Sequence, residues 1–173
     1  MADNRSKVSL RLVIDASVAR AAGGEDAVFP QSKRCRDCLR SILEVCHRAT
    51  FPSAVQAEWN KHQSLFSRRW RAAMVARKKL LTDDVPEDPV LRAALETAAP
   101  SKSARQAMRK DAHLIEAALE ADLVVISADN TAYGLFLAAS AQVVPIKKIS
   151  WMNPAAAEDG LANWLAHGAS ATK

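Results

Sequence analysis

The sequence lacks any run approaching the ~18 to 20 apolar residues that cross a membrane. It also lacks the apolar stretch of a secretory leader, because its first residues, MADNRSKVS, are polar. These two absences lead to the expectation of a cytoplasmic protein with no membrane partner. Cysteine is scarce: Cys35, Cys38 and Cys46 are the three present. An odd number in a chain without an export signal argues against a disulfide framework. No internal repeat or low-complexity block is visible. What is present suits one compact domain: 173 residues, 49% hydrophobic and 25% charged. The net charge of +5 suits a polyanionic partner such as RNA or DNA.

Two runs read as buried parallel strands, RLVID ending at Asp15 and DLVVISAD ending at Asp129. Both are continuously apolar rather than alternating, as expected where helices cover both sheet faces. QVVPI is a third candidate, shortened or pushed to an edge by Pro145, and RATF before Pro52 is a poorer fourth. The stretch SKRCRDCLRSILEVCH puts apolar residues at 35, 38, 39, 42 and 46 on one helical stripe. A helix is predicted from Ser53, with Gln56 completing a capping box, to about Leu81, its stripe passing through Phe66, Trp70 and Met74. Further helices are predicted after Pro89, from about Ser103 to Glu120, after Asn130 and over 159–167. Strands alternating with helices imply an α/β fold, an α/β/α sandwich around a mainly parallel sheet. The expected organisation is a flexible tail over 1–10, a domain over 11–150 and a helical extension over 151–173.

The chemistry is expected in the acids. Asp111 shares the face of Ala104, Met108, Ile115 and Ala118, which should be buried. Glu58 shares a face with Ala54, Val55 and Leu65. A buried carboxylate is costly without compensation, so each belongs to a buried ion pair, a solvated groove or a site. Asp15 and Asp129 follow strands. If the strands are parallel, both emerge at the carboxyl edge, where open α/β sheets hold their sites. Each also suits a helix N-cap. Two carboxylates ~4 Å apart repel by about 4 kcal/mol at a surface-like dielectric, and a divalent cation removes that repulsion. All-oxygen ligands suit Mg²⁺ or Mn²⁺.

The run RLVIDASV resembles the opening strand and first acid of PIN-domain ribonucleases. FPSAVQAEW resembles their proline-led helix with its glutamate, and KDAHLIEAALEADLVVISAD their third and fourth motifs in one block. The resemblance spans about Arg11 to Ile146. It implies a PIN-like domain, a metal-dependent endoribonuclease that cuts RNA through a metal-activated water, with Asp15, Glu58, Asp111 and Asp129 in catalytic and metal-binding roles. Ser127 matches a small hydroxyl residue that supports the last acid. Many members carry a further acid where this chain has Thr131, beside Asn130, so one metal is expected rather than two. Many small members are toxins held by an antitoxin, and many dimerise, so the resemblance also implies an antitoxin protein and a homodimer as partners.

Other features invite competing readings. Cys35, Cys38, Cys46 and His47 could suggest zinc or a redox pair, but the cysteines fall on a predicted apolar stripe, as small buried hydrophobes do. His62, one turn after Glu58, could join the acids or be an ordinary histidine. Arg68, Arg71 and Lys78 share a predicted helical stripe, either an RNA-contacting face or a solvated one. Trp151 and Trp164 pack a final helix or mark a dimer contact. A haloacid-dehalogenase-like or receiver-like phosphotransfer domain would use Asp15 with Lys147, although DASV lacks the dehalogenase's second aspartate. A PIN-like module that only binds RNA or a protein is the other alternative.

Overall fold

The computed structural model describes residues 9–156 and 160–167. The short apolar runs form one parallel sheet of five strands: β1 Arg11–Ile14, β2 Arg48–Thr50, β3 Leu80–Leu81, β4 Val124–Ile126 and β5 Ser150–Met152. Their order is β3-β2-β1-β4-β5. Leu12, Val13, Ile14 and Val124, Val125, Ile126 are all buried. This is why these central strands carry no polar alternation: neither face meets water.

Helices α1 (Ala16–Ala21), α2 (Pro30–Glu44), α3 (Ser53–His62) and α4 (Leu65–Ala76) supply one apolar layer, joined by Leu165 of α8 (Leu161–Ala166). Helices α5 (Pro89–Ala98), α6 (Lys102–Glu120) and α7 (Asn130–Ala139) supply a second. The result is a sheet between two helical layers. The chain moves outward from β1 to β2 and β3, then returns past β1 to β4 and β5. The winding therefore reverses between β1 and β4, and open α/β sheets hold their crevice at the carboxyl ends of such strands. No helix among the described residues is long and apolar enough to cross a membrane.

Several expectations need correction. The helix predicted over 53–81 is broken. Gln63 is extended, and Ser64 caps α4 by accepting from Ser67 N at 3.2 Å. The break lets Trp59 of α3 stack on Trp70 of α4, with ring centroids 5.5 Å apart. Leu80 and Leu81, placed in that helix, form β3 instead. The Ser53 capping box does not form either. Pro52 takes the N-cap, Gln56 Nε2 donates to Phe51 O, and Ser53 N donates to Asp84 Oδ1.

QVVPI is not a strand. Residues 144–148 form a 3₁₀ helix, and the strand comes next, at Ser150–Met152. Pro145 has no N–H for a ladder, while Val143 and Ile146, three apart, are buried against α6 and α7. The fifth strand thus straddles the boundary expected at 150. Cys46 lies beyond the end of α2 and is exposed, whereas Cys35 and Cys38 are buried. Burial pushes the Cys35 thiol up to about 11, so the two buried cysteines behave as small apolar groups. His47 is engaged away from them, Nδ1 accepting from Leu10 N and Nε2 facing Leu165 O. The short helix α1 had no expectation. Trp151 packs beside Tyr133 and Phe136 of α7, and Trp164 lies against the first core layer. Positions 1–8 of the expected tail and Asp159, the expected start of the last helix, lie outside the described residues.

Candidate active site

Asp15 leaves the end of β1 at the N-cap position of α1, but its side chain makes no capping bond. Its backbone N–H donates to Ile126 O at 2.9 Å, which fastens the turn to β4. Its Oδ2 accepts from Ser17 Oγ at 2.5 Å and from Ser127 Oγ at 2.7 Å. The two serines reach back to the other turn: Ala128 N donates to Ser17 Oγ at 3.0 Å and Asp129 N donates to Ser127 Oγ at 3.1 Å. The exits of the two central strands are thereby one hydrogen-bonded unit. Asp15 Oδ1 has no hydrogen-bond partner among the described residues.

Asp129 does cap α7, its Oδ1 accepting from Ala132 N at 3.0 Å. The cap occupies one oxygen and leaves Oδ2, so the capping role and a ligand role are compatible. Glu58 stands on α3 with 22% of its side chain exposed, accepting from Lys61 Nζ at 2.9 Å. That hydrogen bond holds its carboxyl below the usual range. His62 Nε2 is 3.7 Å from its other oxygen. The helical face expected for Glu58 is only partly right: Val55 and Trp59 are buried, while Ala54 and Leu65 face water.

Asp111 lies on α6 with 15% of its side chain exposed and Lys110 Nζ 3.4 Å from Oδ1. Burial pushes this carboxyl up, and the charge of Asp15 adds to the effect against the opposing pull of Lys110. The ammonium of Lys110 is in turn raised, chiefly by Asp111, with Glu58 and Asp15 contributing. The stripe expected for Asp111 is observed, with Ala104, Met108, Ile115 and Ala118 all buried.

All four acids line one polar pocket of about 60 Å³, room for a few waters or a hydrated ion. They arrive from β1, α3, α6 and the turn after β4, so the pocket sits at the winding switch. Its walls also carry Arg20, His62, Lys110 and His113. Ser17, Arg20, Lys110 and His113 are additions to the sequence reading. Ser17 had one available signal, a hydroxyl two residues beyond a strand-end acid. Among the described residues, no three His, Cys, Asp or Glu side chains are already drawn close enough to grip a metal. The acids stand around the pocket, each with its own partner: Ser17 and Ser127 at Asp15, Lys61 at Glu58, Lys110 at Asp111 and the Ala132 N–H at Asp129.

The other expected residues lie elsewhere. Asn130 and Thr131 are exposed, and Asn130 Oδ1 accepts from Asn153 Nδ2 at 2.7 Å. Arg71 is engaged with Asn60 and Gln56 and lies over the Phe51 ring. Lys78 falls after the end of α4 with φ 54°, so Arg68, Arg71 and Lys78 do not form the single helical stripe that was expected. Lys147 lines a different groove, with Tyr133 and Trp151, away from the acids a receiver-like lysine would serve. No protein-family model matches the chain, and no curated protein is significantly similar to it.

Proposed function

We propose that this protein is a divalent-metal-dependent endoribonuclease of PIN-like architecture. The observation that carries the reading is the meeting of Asp15, Glu58, Asp111 and Asp129 in one pocket at the winding switch of a parallel sheet. The donor set fits a hard cation: it offers carboxylate oxygens and no thiolate, which suits Mg²⁺ or Mn²⁺. Asp111 supports the same fit, since a carboxyl raised by burial and by a neighbouring acid is one whose ionised form a cation would stabilise.

Asp15 Oδ1 and Asp129 Oδ2 are the oxygens left open for the ion, with Asp111 and Glu58 completing the shell directly or through waters. A bound cation of this kind lowers the pKa of water and offsets charge on a phosphoryl oxygen. Ser17 and Ser127 hold the Asp15 carboxylate in one orientation through Oδ2. Lys110 and Arg20 place positive charge beside the acids, where a phosphodiester would otherwise be repelled. No side chain is needed as a covalent nucleophile.

The test is cleavage of a labelled RNA by the wild-type chain with Mg²⁺ or Mn²⁺, with excess chelator, and by Asp15→Asn. Cutting is expected with metal and at background level in the other two cases. Full activity in chelator would remove the metal from the mechanism. RNA binding with no cutting under any metal would make this a binding module.

A further inference from the structure

Beside the acidic pocket lies a second, wider groove of about 350 Å³, lined by Phe29, Gln31, Arg34, Ala128, Asn130 and Asn153 among others. Ala128 and Asn130 flank Asp129, so groove and pocket share the turn after β4 as a common wall. Phe29, just before α2, is 63% exposed. Val28 beside it is 91% exposed, so two consecutive apolar side chains stand in water here.

The rest of the lining carries braced polar groups. Asn153 Nδ2 donates to Asn130 Oδ1 at 2.7 Å, and Asn153 Oδ1 accepts from Ala155 N at 2.8 Å. Asn130 Nδ2 keeps no partner among the described residues. Arg34 Nη1 donates to Ala155 O at 3.0 Å, which fixes a guanidinium at the edge. An open ring face, an amide free to donate and a fixed positive charge are the groups that hold an unpaired nucleotide: the base stacks, its edge is read, and the phosphate is attracted. A protein partner would instead favour an apolar centre with few charges.

We infer that this groove binds the nucleotide adjoining the phosphodiester held at the acids, with Phe29 stacking on its base and Asn130 contacting its edge. The inference rests on the ribonuclease reading, and it deepens that reading by assigning a base subsite.

The test is fluorescence anisotropy of a labelled single-stranded RNA hexamer with the full chain carrying Asp15→Asn to prevent cutting, alone and with Phe29→Ala or Phe29→Trp. Phe29→Ala should weaken binding about 5- to 150-fold, the range for losing one stacked base, and Phe29→Trp should retain it. Phe29 is mostly exposed, so equal melting temperatures are expected and serve as the folding control. Unchanged affinity in Phe29→Ala, or no RNA binding at all, would overturn the subsite. A groove that instead holds a second copy of this chain would show Phe29→Ala shifting sedimentation from dimer to monomer without altering RNA affinity, which also overturns it. Phe29-dependent binding by a protein that cuts no RNA would end the ribonuclease reading while leaving the groove assigned. Normal cutting with no Phe29 dependence would do the reverse.

Discussion

Ser127 Oγ donates to Asp15 Oδ2 at 2.7 Å and so ties the end of β4 to the first acid at the end of β1. Ser127 is fully buried, which means water cannot replace it. Ser127→Ala leaves a half-buried carboxylate oxygen and the Asp129 N–H short of a partner. We expect a stability loss of about 1–3 kcal/mol, read as a melting temperature lower by about 2–10 °C. Cleavage should fall by more than the fraction unfolded accounts for, because Asp15 keeps only one of the two serine hydrogen bonds that orient it. A thermal shift with unchanged cleavage would make Ser127 purely structural.

Asp111 carries a cost in the metal-free protein. Its carboxyl is pushed above the ordinary value of 3.8, first by burial and then by Asp15. The folded state therefore holds that proton more tightly than the unfolded chain, and stability declines as pH rises from 3.8 through the raised folded value. Asp111→Asn should raise the metal-free melting temperature at pH 7, and the gain should vanish below pH 3.8. The same variant should gain less than wild type from added Mn²⁺. Equal Mn²⁺-induced shifts would remove Asp111 from the site.

Asp122 has the opposite sign. Arg11 grips it through N, Nε and Nη2, the closest contact at 2.7 Å, and holds its carboxyl below 3.8. Its contribution is fully present above 3.8 and is lost as pH falls through the depressed folded value. Both side chains are partly exposed, at 40% and 30%, so solvent screening limits the loss in Asp122→Asn to roughly 1 kcal/mol at pH 7. Chemical denaturation at pH 7 and at a pH below the folded value should show this difference shrinking to nothing.

Glu116 is the buried charge of the α5–α6 contact, with 4% of its side chain exposed. Arg92 meets it through Nε at 2.7 Å and Nη2 at 2.8 Å, and Asp88 N donates to it at 2.8 Å. Arg92→Met strands the carboxylate and should cost about 3–5 kcal/mol. Adding Glu116→Gln keeps an acceptor for Asp88 N while removing the charge, and should recover most of that loss. Purely additive losses in denaturant melts would contradict the coupling.

The parts of this structure legible in the sequence are those where one physical signal dominates. The unbroken apolar runs before Asp15 and Asp129 carry the pattern of strands covered on both faces, and the α6 stripe placed Asp111 at the buried side. Where two signals compete, the sequence misleads. Ser64 reads as an ordinary helical residue until tertiary packing of Trp59 on Trp70 rewards a break there. QVVPI has strand composition, yet burial of Val143 and Ile146 three apart favours a 3₁₀ turn. In the site, Glu58 and Asp111 announce themselves because burial of a carboxylate needs a reason, and Asp15 and Asp129 because each ends a strand. Ser17, Arg20 and Lys110 do not, since a serine near a cap or a base on a helix is ordinary until its neighbours are known.

Whether Asp15, Glu58, Asp111 and Asp129 form one divalent-cation site is read out by counting bound Mn²⁺ with electron paramagnetic resonance. Wild type, Asp15→Asn, Asp129→Asn and the control Asp83→Asn, which lines a different pocket, would be titrated side by side. One saturable Mn²⁺ is expected per wild-type chain, preserved in Asp83→Asn and lost or strongly weakened in the other two. Saturable binding that survives Asp15→Asn and Asp129→Asn unchanged, or no saturable binding by wild type, would mean that these acids are not a cation site.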